Sequence, residues 1–313
     1  MSRTLRRSFS KTCSEFDHDA LPCPPLQYKR PMRHKDNRGN SGPSRRPPHG
    51  RPAKKPQHSR APQPAPAQNR ERGDKPAAGA QWLYGLHAVQ AALENPRRKL
   101  GRACLTPKAQ ETLSKWLGRV RVETLDPAAI DRLLPPGAVH QGCALEAWPL
   151  KSRDIDEILN ETNGLRRIVL VLDQLSDPHN VGAILRTAAA FNVTAVIVQD
   201  RHAPPQSGAL AKAASGALDL VPYVEVVNIA RTLDDLAKRG FWRIALAGDG
   251  EDSLAQAAPE GDVALVLGSE GAGIRRLVRE HCETAAFIPI DGQMESLNVS
   301  NAAAIALYEM RRS

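Results

Sequence analysis

Cysteine is scarce and scattered in this sequence. Its five residues, Cys13, Cys23, Cys104, Cys143 and Cys282, are odd in number and form no CxxC pair. Cys282 stands beside His281, and adjacent ligands without distant partners carry no site. A disulfide framework and a zinc centre are therefore excluded as organising features, and the thiols fit a reducing cytoplasm. No apolar run approaches the roughly 18 residues that a membrane span requires. The first dozen residues, MSRTLRRSFSKT, hold neither an acid nor an apolar core. They cannot serve as a secretory signal, and their Arg and Ser content only superficially suits an organelle presequence. The expected compartment is the cytoplasm.

Acidic residues are also missing from one region. Residues 1–80 carry 18 Lys/Arg against 6 Asp/Glu, a net of +12, whereas the remainder carries 25 against 28. The basic character of the chain (pI ≈ 9.5) thus belongs to its first quarter. That quarter also holds 13 of the 25 prolines and almost no periodic apolar residues. It cannot bury enough surface to offset its ordering entropy, so the expectation is a disordered basic tail over 1–80. A cationic arm of this kind is drawn to polyanions by counterion release, and nucleic acid is its natural partner.

Order begins near Gln81. Helical patterns over 86–95, 107–117 and 127–133 alternate with strand patterns over 102–105, 120–125 and 143–147, which predicts a small α/β domain over 81–150. It contains no cluster of titratable groups resembling a reaction centre. Lys99, Arg102, Lys108, Arg119, Arg121 and Arg132 suit an RNA-facing surface, although Glu94, Glu111, Glu123 and Asp131 are interspersed. A charged connector follows over 151–165. The second domain, 166–313, opens with the apolar run IVLVL at 168–172, which suits a strand buried on both faces of a parallel sheet. Further strands are expected at 194–198, 223–227, 242–247, 263–267 and 286–290, with helices between them, giving an open α/β sheet. Ligands of such sheets bind beyond the carboxyl ends of the strands.

Three segments lie at those ends. After the first strand comes DQLSDPHN, then the helix VGAILRTAAAF. Gly182 and Arg186 are four apart and share a helix face, so a glycine there leaves room beside a guanidinium, whose planar fork suits phosphate or carboxylate. His179 is a candidate base, although its place in a loop beside a helix cap favours a structural role. After the fifth strand comes GSEGAG at 268–273. Its glycines let backbone N–H groups approach a ligand, but the order GxxGxG late in the domain is a weak fit to a dinucleotide fingerprint. Glu270 within that turn would repel phosphate and is suited to pairing with a cation such as Arg186. The third segment, IPIDGQMESLNVSNAAAIALY at 288–308, reads as strand, tight loop and helix. Capping needs only Ser296 or Asn298, so Ser300 and Asn301 beside them leave polar groups in excess.

Taken together, DPHNVGAILRTAAAFN, LVLGSEGAGIRRL and IPIDGQMESLNVSNAAAIALYE resemble the three motifs of the SpoU, or TrmH, family of RNA ribose 2′-O-methyltransferases, in order and in spacing. The module opening YGLHAVQAAL and closing HQGCALEA is similar to the L30e-like substrate-binding domain of the branch that methylates a guanosine in 23S ribosomal RNA. The resemblance implies a SPOUT fold, an α/β parallel sheet with a deep trefoil knot. It implies S-adenosylmethionine as cofactor, held at positions matching Gly268, Ile288 and Leu297, and no metal. It implies catalytic roles for Asn180, Arg186, Glu270, Ser296 and Asn298, and a homodimer formed through the knotted domain, for which the alanine-rich helix 302–307 is suited. Gln293-Met294-Glu295 makes the third loop more polar and acidic than in many relatives. The alternatives it leaves are a transfer-RNA guanosine 2′-O-methyltransferase, which shares the motifs but usually lacks the N-terminal module, and a non-catalytic RNA-binding relative.

Overall fold

The computed structural model describes residues 75–161, 166–292 and 295–312. The basic segment up to residue 74, with Cys13 and Cys23, lies outside the described residues, as do residues 162–165 of the connector and Gln293-Met294. Residues 77–80 already belong to the folded lobe, since Ala77 N–H donates to the Glu146 carboxylate and the Trp148 indole N–H donates to the Ala78 carbonyl at 3.1 Å.

The first lobe comprises β1 (Gln81–Tyr84), α1 (Leu86–Glu94), β2 (Leu100–Leu105), α2 (Pro107–Leu113), β3 (Arg121–Thr124), α3 (Pro127–Leu133) and β4 (Cys143–Ala147). Its four strands lie in the order β1-β4-β2-β3, antiparallel except for the β2/β3 pair. Two helices start by the same device. Thr106 and Asp126 each accept a hydrogen bond from the backbone N–H three residues on, and each is followed by proline, whose missing N–H costs nothing there. Strand β1 escaped the periodicity reading because a four-residue run is too short to display a period. Of the cations expected to face RNA, Arg119 is structural: its guanidinium donates to the carbonyls of Leu93, Asn95, Pro96 and Arg98, closing the open end of α1. Arg102 pairs with Glu123 and Glu146 and lies over Trp82. Lys108, Arg121 and Arg132 are exposed.

The second lobe follows α4 (Ile155–Glu161) and runs β5 (Ile168–Asp173), α5 (Pro178–Ala190), β6 (Ala195–Gln199), α6 (Gly208–Ala214), α7 (Ala217–Leu220), β7 (Tyr223–Val226), α8 (Ile229–Lys238), β8 (Trp242–Leu246), β9 (Asp252–Ser253), α9 (Leu254–Ala257), β10 (Val263–Gly268), α10 (Arg276–Arg279), β11 (Thr284–Phe287) and α11 (Val299–Arg312). The seven strands lie in the order β7-β6-β5-β10-β8-β11-β9, and every neighbouring pair is parallel. All six residues of β5 are buried, as its unbroken apolar run requires of a central strand covered on both faces. Each such Val, Ile or Leu contributes about 1.5–3 kcal/mol relative to exposure.

Three expectations are corrected. The last strand ends at Phe287, so Ile288 lies just past it and Ile290 is exposed. Strand β11 pairs with β8 and with the two-residue β9, both of which stop there, and Pro289 has no N–H to extend a ladder. Gly182 does not make room for Arg186. A Cβ at 182 would sit 2.4 Å from the Ala213 Cβ, so the glycine lets α6 pack closely on α5. Finally, the alanine face of the last helix is not free, because Ala303, Ala306, Leu307 and Met310 are buried in the core that includes α5.

Candidate active site

The central strands β5 and β10 lie side by side, and the chain leaves their carboxyl ends in loops that meet the loop before α11. Asp173, the last residue of β5, is fully buried. Its carboxylate accepts from the backbone N–H of Arg275 at 2.9 Å, from Nε at 2.9 Å and from Nη2 at 2.6 Å, while Nη2 also donates to the Gln199 side chain at 2.9 Å. The glycine loop that leaves β10 is thereby anchored to the neighbouring strand at the point where it re-enters the fold. Within it, Ser269 and Gly273 exchange backbone hydrogen bonds at 3.1 and 2.9 Å. Gly271 and Gly273 have φ of +84° and +66°, which other residues adopt at a cost. A Cβ on Gly268 would lie 2.1 Å from the Gly273 carbonyl carbon, so closure of the loop itself demands glycine at 268.

This closed turn presents Glu270 to two asparagines from distant parts of the chain. Asn180 Nδ2 donates to Glu270 Oε1 at 3.1 Å, Asn298 Nδ2 donates to the same oxygen at 2.8 Å, and Asn298 Nδ2 lies 3.1 Å from Asn180 Oδ1. Each asparagine is fixed by its helix. Asp177 caps α5, accepting from the N–H groups of His179 and Asn180 at 3.1 and 3.2 Å. Asn298 is the cap of α11: its Oδ1 accepts from Ser300 N–H at 2.9 Å and from Ser300 Oγ at 2.6 Å. With the amide oxygen committed to the cap, the amide nitrogen must face Glu270. This answers the excess of polar residues in the third segment, because one side chain caps a helix and completes a cluster at the same time.

The cluster stands at the mouth of a cavity of about 790 Å³. Gly268, Glu270, Ile288, Ser296, Leu297 and Asn298 all line it, so six of the eight residues expected at the site share one space. Asn180 joins through its hydrogen bonds. Arg186 does not. It is exposed, the ninth residue of α5, and six positions beyond Asn180, about 9 Å along the helix axis at 1.5 Å per residue. Among the described residues it has no hydrogen bond or ion pair, and the expected pairing with Glu270 is not formed. His179 is exposed and contributes only its backbone N–H to the cap.

Sequence reasoning missed three contributors. The Asp173–Arg275 clamp was signalled by a carboxylate ending a wholly apolar strand. The other two, Asp249 and Arg279, lie on the cavity wall after β8 and in α10, with Arg279 Nη1 donating to Asp249 at 2.9 and 2.7 Å. That bond holds the Asp249 carboxyl below the usual carboxylate range. Burial pushes the thiols the other way: Cys104 and Cys143 rise to about 11 and Cys282 to about 12, so none is a thiolate at neutral pH. Among the described residues no cluster of His, Cys, Asp and Glu is arranged to hold a metal ion, and no helix is long and apolar enough to cross a membrane.

Known proteins share both lobes. The SpoU rRNA Methylase family matches residues 167–308, and the family described as RNA 2′-O ribose methyltransferase substrate binding matches residues 82–152. The 23S rRNA (guanosine-2′-O-)-methyltransferase RlmB of Pseudomonas aeruginosa is 37% identical over 244 residues, covering 74% of this chain and 97% of that protein. The enzyme of the same name from Pasteurella multocida is 39% identical over 241 residues, covering 74% and 97%. Among solved structures, the SpoU methyltransferase AviRb of Streptomyces viridochromogenes shares the fold at a TM-score of 0.64 and 22% identity, covering 75% of this chain and 90% of that one. A putative RNA methyltransferase of the TrmH family from Porphyromonas gingivalis gives 0.62 at 27% identity, covering 75% and 90%. With the three loops meeting at one cavity and both lobes matched across nearly the full length of these relatives, the chain belongs to the SpoU rRNA methylase family.

Proposed function

We propose that the protein transfers the methyl group of S-adenosylmethionine to the ribose 2′-hydroxyl of a guanosine in 23S ribosomal RNA. The observation that carries this reading is the hydrogen-bonded cluster of Asn180, Glu270 and Asn298 at the mouth of the cavity. The cavity fits the cofactor in chemistry as well as size. Its lining is apolar at Leu246, Leu267, Ile288 and Leu297, as an adenine and a methionine chain require, and carries Glu270 for a cationic ligand, Asp249 being paired with Arg279. When bound, S-adenosylmethionine supplies an electrophilic methyl group on a sulfonium, which needs no metal.

The chain's own residues then have two tasks, to orient the hydroxyl and to stabilise charge that develops on it. Glu270 holds both asparagines on one oxygen and leaves the other for a ribose hydroxyl. Ser296, which lines the cavity, fixes the ribose, and Asn298, whose amide is taken up by the cap and the cluster, fixes the third loop. Arg186, whose planar guanidinium suits an anion, serves by binding the target phosphate and facing the developing alkoxide. Because it stands apart from the cluster of its own chain, we assign it to the site of a second copy in a homodimer. Ile305 and Tyr308, exposed at 43% and 58% on a helix that packs against α5, suit that interface. The order in which β10 enters between β5 and β8 fits a trefoil-knotted SPOUT sheet. The division we propose is a basic tail up to residue 74, an L30e-like RNA-binding module that takes in residues 77–80 and runs to 150, a linker at 151–165 and a catalytic domain at 166–313, in a cytoplasmic protein.

Arg186→Ala should abolish methyl transfer and leave cofactor affinity within a few-fold. Arg186→Lys should restore little, because a point charge does not reproduce the planar fork. Mixing purified Arg186→Ala with Glu270→Ala should recover part of the activity if the two residues act across the interface. No recovery in mixed dimers would return Arg186 to the site of its own chain.

A further inference from the structure

The two sheets are joined by more than the connector. Arg98, in the turn after α1, is 2% exposed, and Asp219, in α7 of the second lobe, is 7% exposed. They form a bidentate pair, Nε to Oδ1 at 2.8 Å and Nη2 to Oδ2 at 2.7 Å, and Arg98 Nη1 donates to the Trp148 carbonyl at 3.0 Å. Asn95 Nδ2 donates to the same carboxylate at 3.0 Å. These three hydrogen bonds to the buried carboxylate all come from the other lobe. A second link is reciprocal: Leu150 N–H donates to Gln206 Oε1 at 2.8 Å, and Gln206 Nε2 donates to the Leu150 carbonyl at 3.0 Å. A third joins Lys212 Nζ to Gln141 Oε1 at 2.6 Å.

Beneath these bonds the lobes touch at backbone distance. A Cβ on Gly208, the first residue of α6, would lie 2.3 Å from the Trp82 carbonyl oxygen and 2.5 Å from the Tyr84 ring, both in β1. Leu83, Ala88 and Ala92 of the first lobe share one continuous core with Leu210, Ala214 and Leu218 of the second. Helix α6 is thus pressed between β1 on one side and Gly182 of α5 on the other, and α5 is the helix that carries Asn180. A polar clamp with all its partners satisfied, over a close-packed apolar seam, has one arrangement and no slack.

We propose that this seam holds the RNA-reading lobe and the methyl-transfer lobe as one rigid body, so that their fixed separation is a gauge that selects which nucleotide reaches the site. The inference rests on the reading of the first lobe as the substrate-binding module. Arg98, Asp219, Gln206 and Gly208 are positioning residues: none lines the cavity, and each acts through the placement of the lobe.

The test has two parts. Pairs of spin labels at exposed sites, Glu111→Cys on α2 and Ala190→Cys on α5, in a full chain with Cys13 and Cys23 replaced by serine and mixed with excess unlabelled protein so that a dimer carries at most one labelled copy, report the separation of the lobes by pulsed electron resonance. One narrow distance is expected, unchanged when a 23S ribosomal RNA fragment is added. A broad or two-peaked distribution, or a shift on RNA binding, would overturn the rigid seam whatever the enzyme methylates. In the second part, Gly208→Ala as a wedge and Arg98→Lys as a weakened clamp are assayed on a long ribosomal RNA fragment and on a short oligonucleotide bearing the target guanosine alone. Expected is a loss of roughly tenfold or more in kcat on the long fragment, with KM within a few-fold, and an unchanged rate on the short one. An equal loss on both substrates, with cofactor affinity also reduced, would make the seam a matter of stability and not of gauge. Absence of methylation of either RNA by the unaltered protein would instead count against the proposed function, leaving the distance measurement to decide the seam.

Discussion

At the scale of single residues, the chemistry depends on one carboxylate oxygen serving two amides. Glu270→Ala removes the shared acceptor and frees both asparagines, and methyl transfer should fall by roughly 10²–10³, the usual cost of losing an oriented group at a developing charge. Cofactor affinity should stay within a few-fold, as equilibrium dialysis would check. Asn298→Ala should do more harm than Asn180→Ala, because it also uncaps α11, adding about 1 kcal/mol of destabilisation readable in a denaturant titration. The thiols make a contrasting prediction. A thiol whose folded pKa is raised contributes stability that is complete below its unfolded pKa and is lost as pH climbs above it, because only the unfolded chain then releases the proton. With Cys104 and Cys143 at about 11 and Cys282 at about 12, the unfolding free energy should decline from pH 9 toward 11. Peptide mapping after brief maleimide treatment at pH 7.5 should find these three unlabelled, and rapid modification would show that the thiols are not held as described.

At the scale of elements, the loop after β10 is kept in shape by a glycine and a buried acid. Gly268→Ala forces backbone apart at the cavity wall and should weaken S-adenosylmethionine binding at least about tenfold, or 1.4 kcal/mol. Asp173→Ala strands the charge-assisted donors of Arg275 and should cost about 1.5–3 kcal/mol of stability. Most elements were legible in the sequence because the two periods are distinct, and the run at 168–172 announces a central strand; the start of α5 was not, since Asp177 caps that helix and it begins at Pro178, three residues before the expected Val181. What stayed illegible is what only packing decides. Gly182 reads equally well as space for a side chain on its own helix or for a second helix, and the structure chooses the second. Arg186 shares a motif with Asn180, yet helix geometry separates them. The clamp between Arg98 and Asp219 spans about 120 residues, and no local pattern links its halves. The resemblance to a family named the site residues; only the coordinates show that Asn298 belongs to a cap and to the cluster together.

At the scale of the whole molecule, charge and assembly carry the remaining expectations. Light scattering at micromolar concentration should give twice the chain mass, and an active monomer would contradict the homodimer. With a net of +12 over residues 1–80, the tail should add sequence-independent affinity, steepening the dependence of binding on log salt by about 0.7–0.9 for each phosphate it neutralises. Truncation should stop at residue 74, because residues 77–80 are bonded to the first lobe. The truncated protein should bind RNA less tightly at low salt, with a flatter slope, and methylate the same nucleotide, since phosphate contacts carry no base information. An unchanged slope would make the tail a bystander. The measurement that bears most directly on the account is a map of ribose 2′-O-methyls across ribosomal and transfer RNA from cells with and without the gene, repeated after adding purified protein and S-adenosylmethionine to the unmethylated RNA. The account predicts that a single 23S guanosine loses its methyl in the deletion and regains it in vitro, with Glu270→Ala failing to restore it. A 23S map identical in both strains, or a lost methyl found in transfer RNA instead, would contradict it.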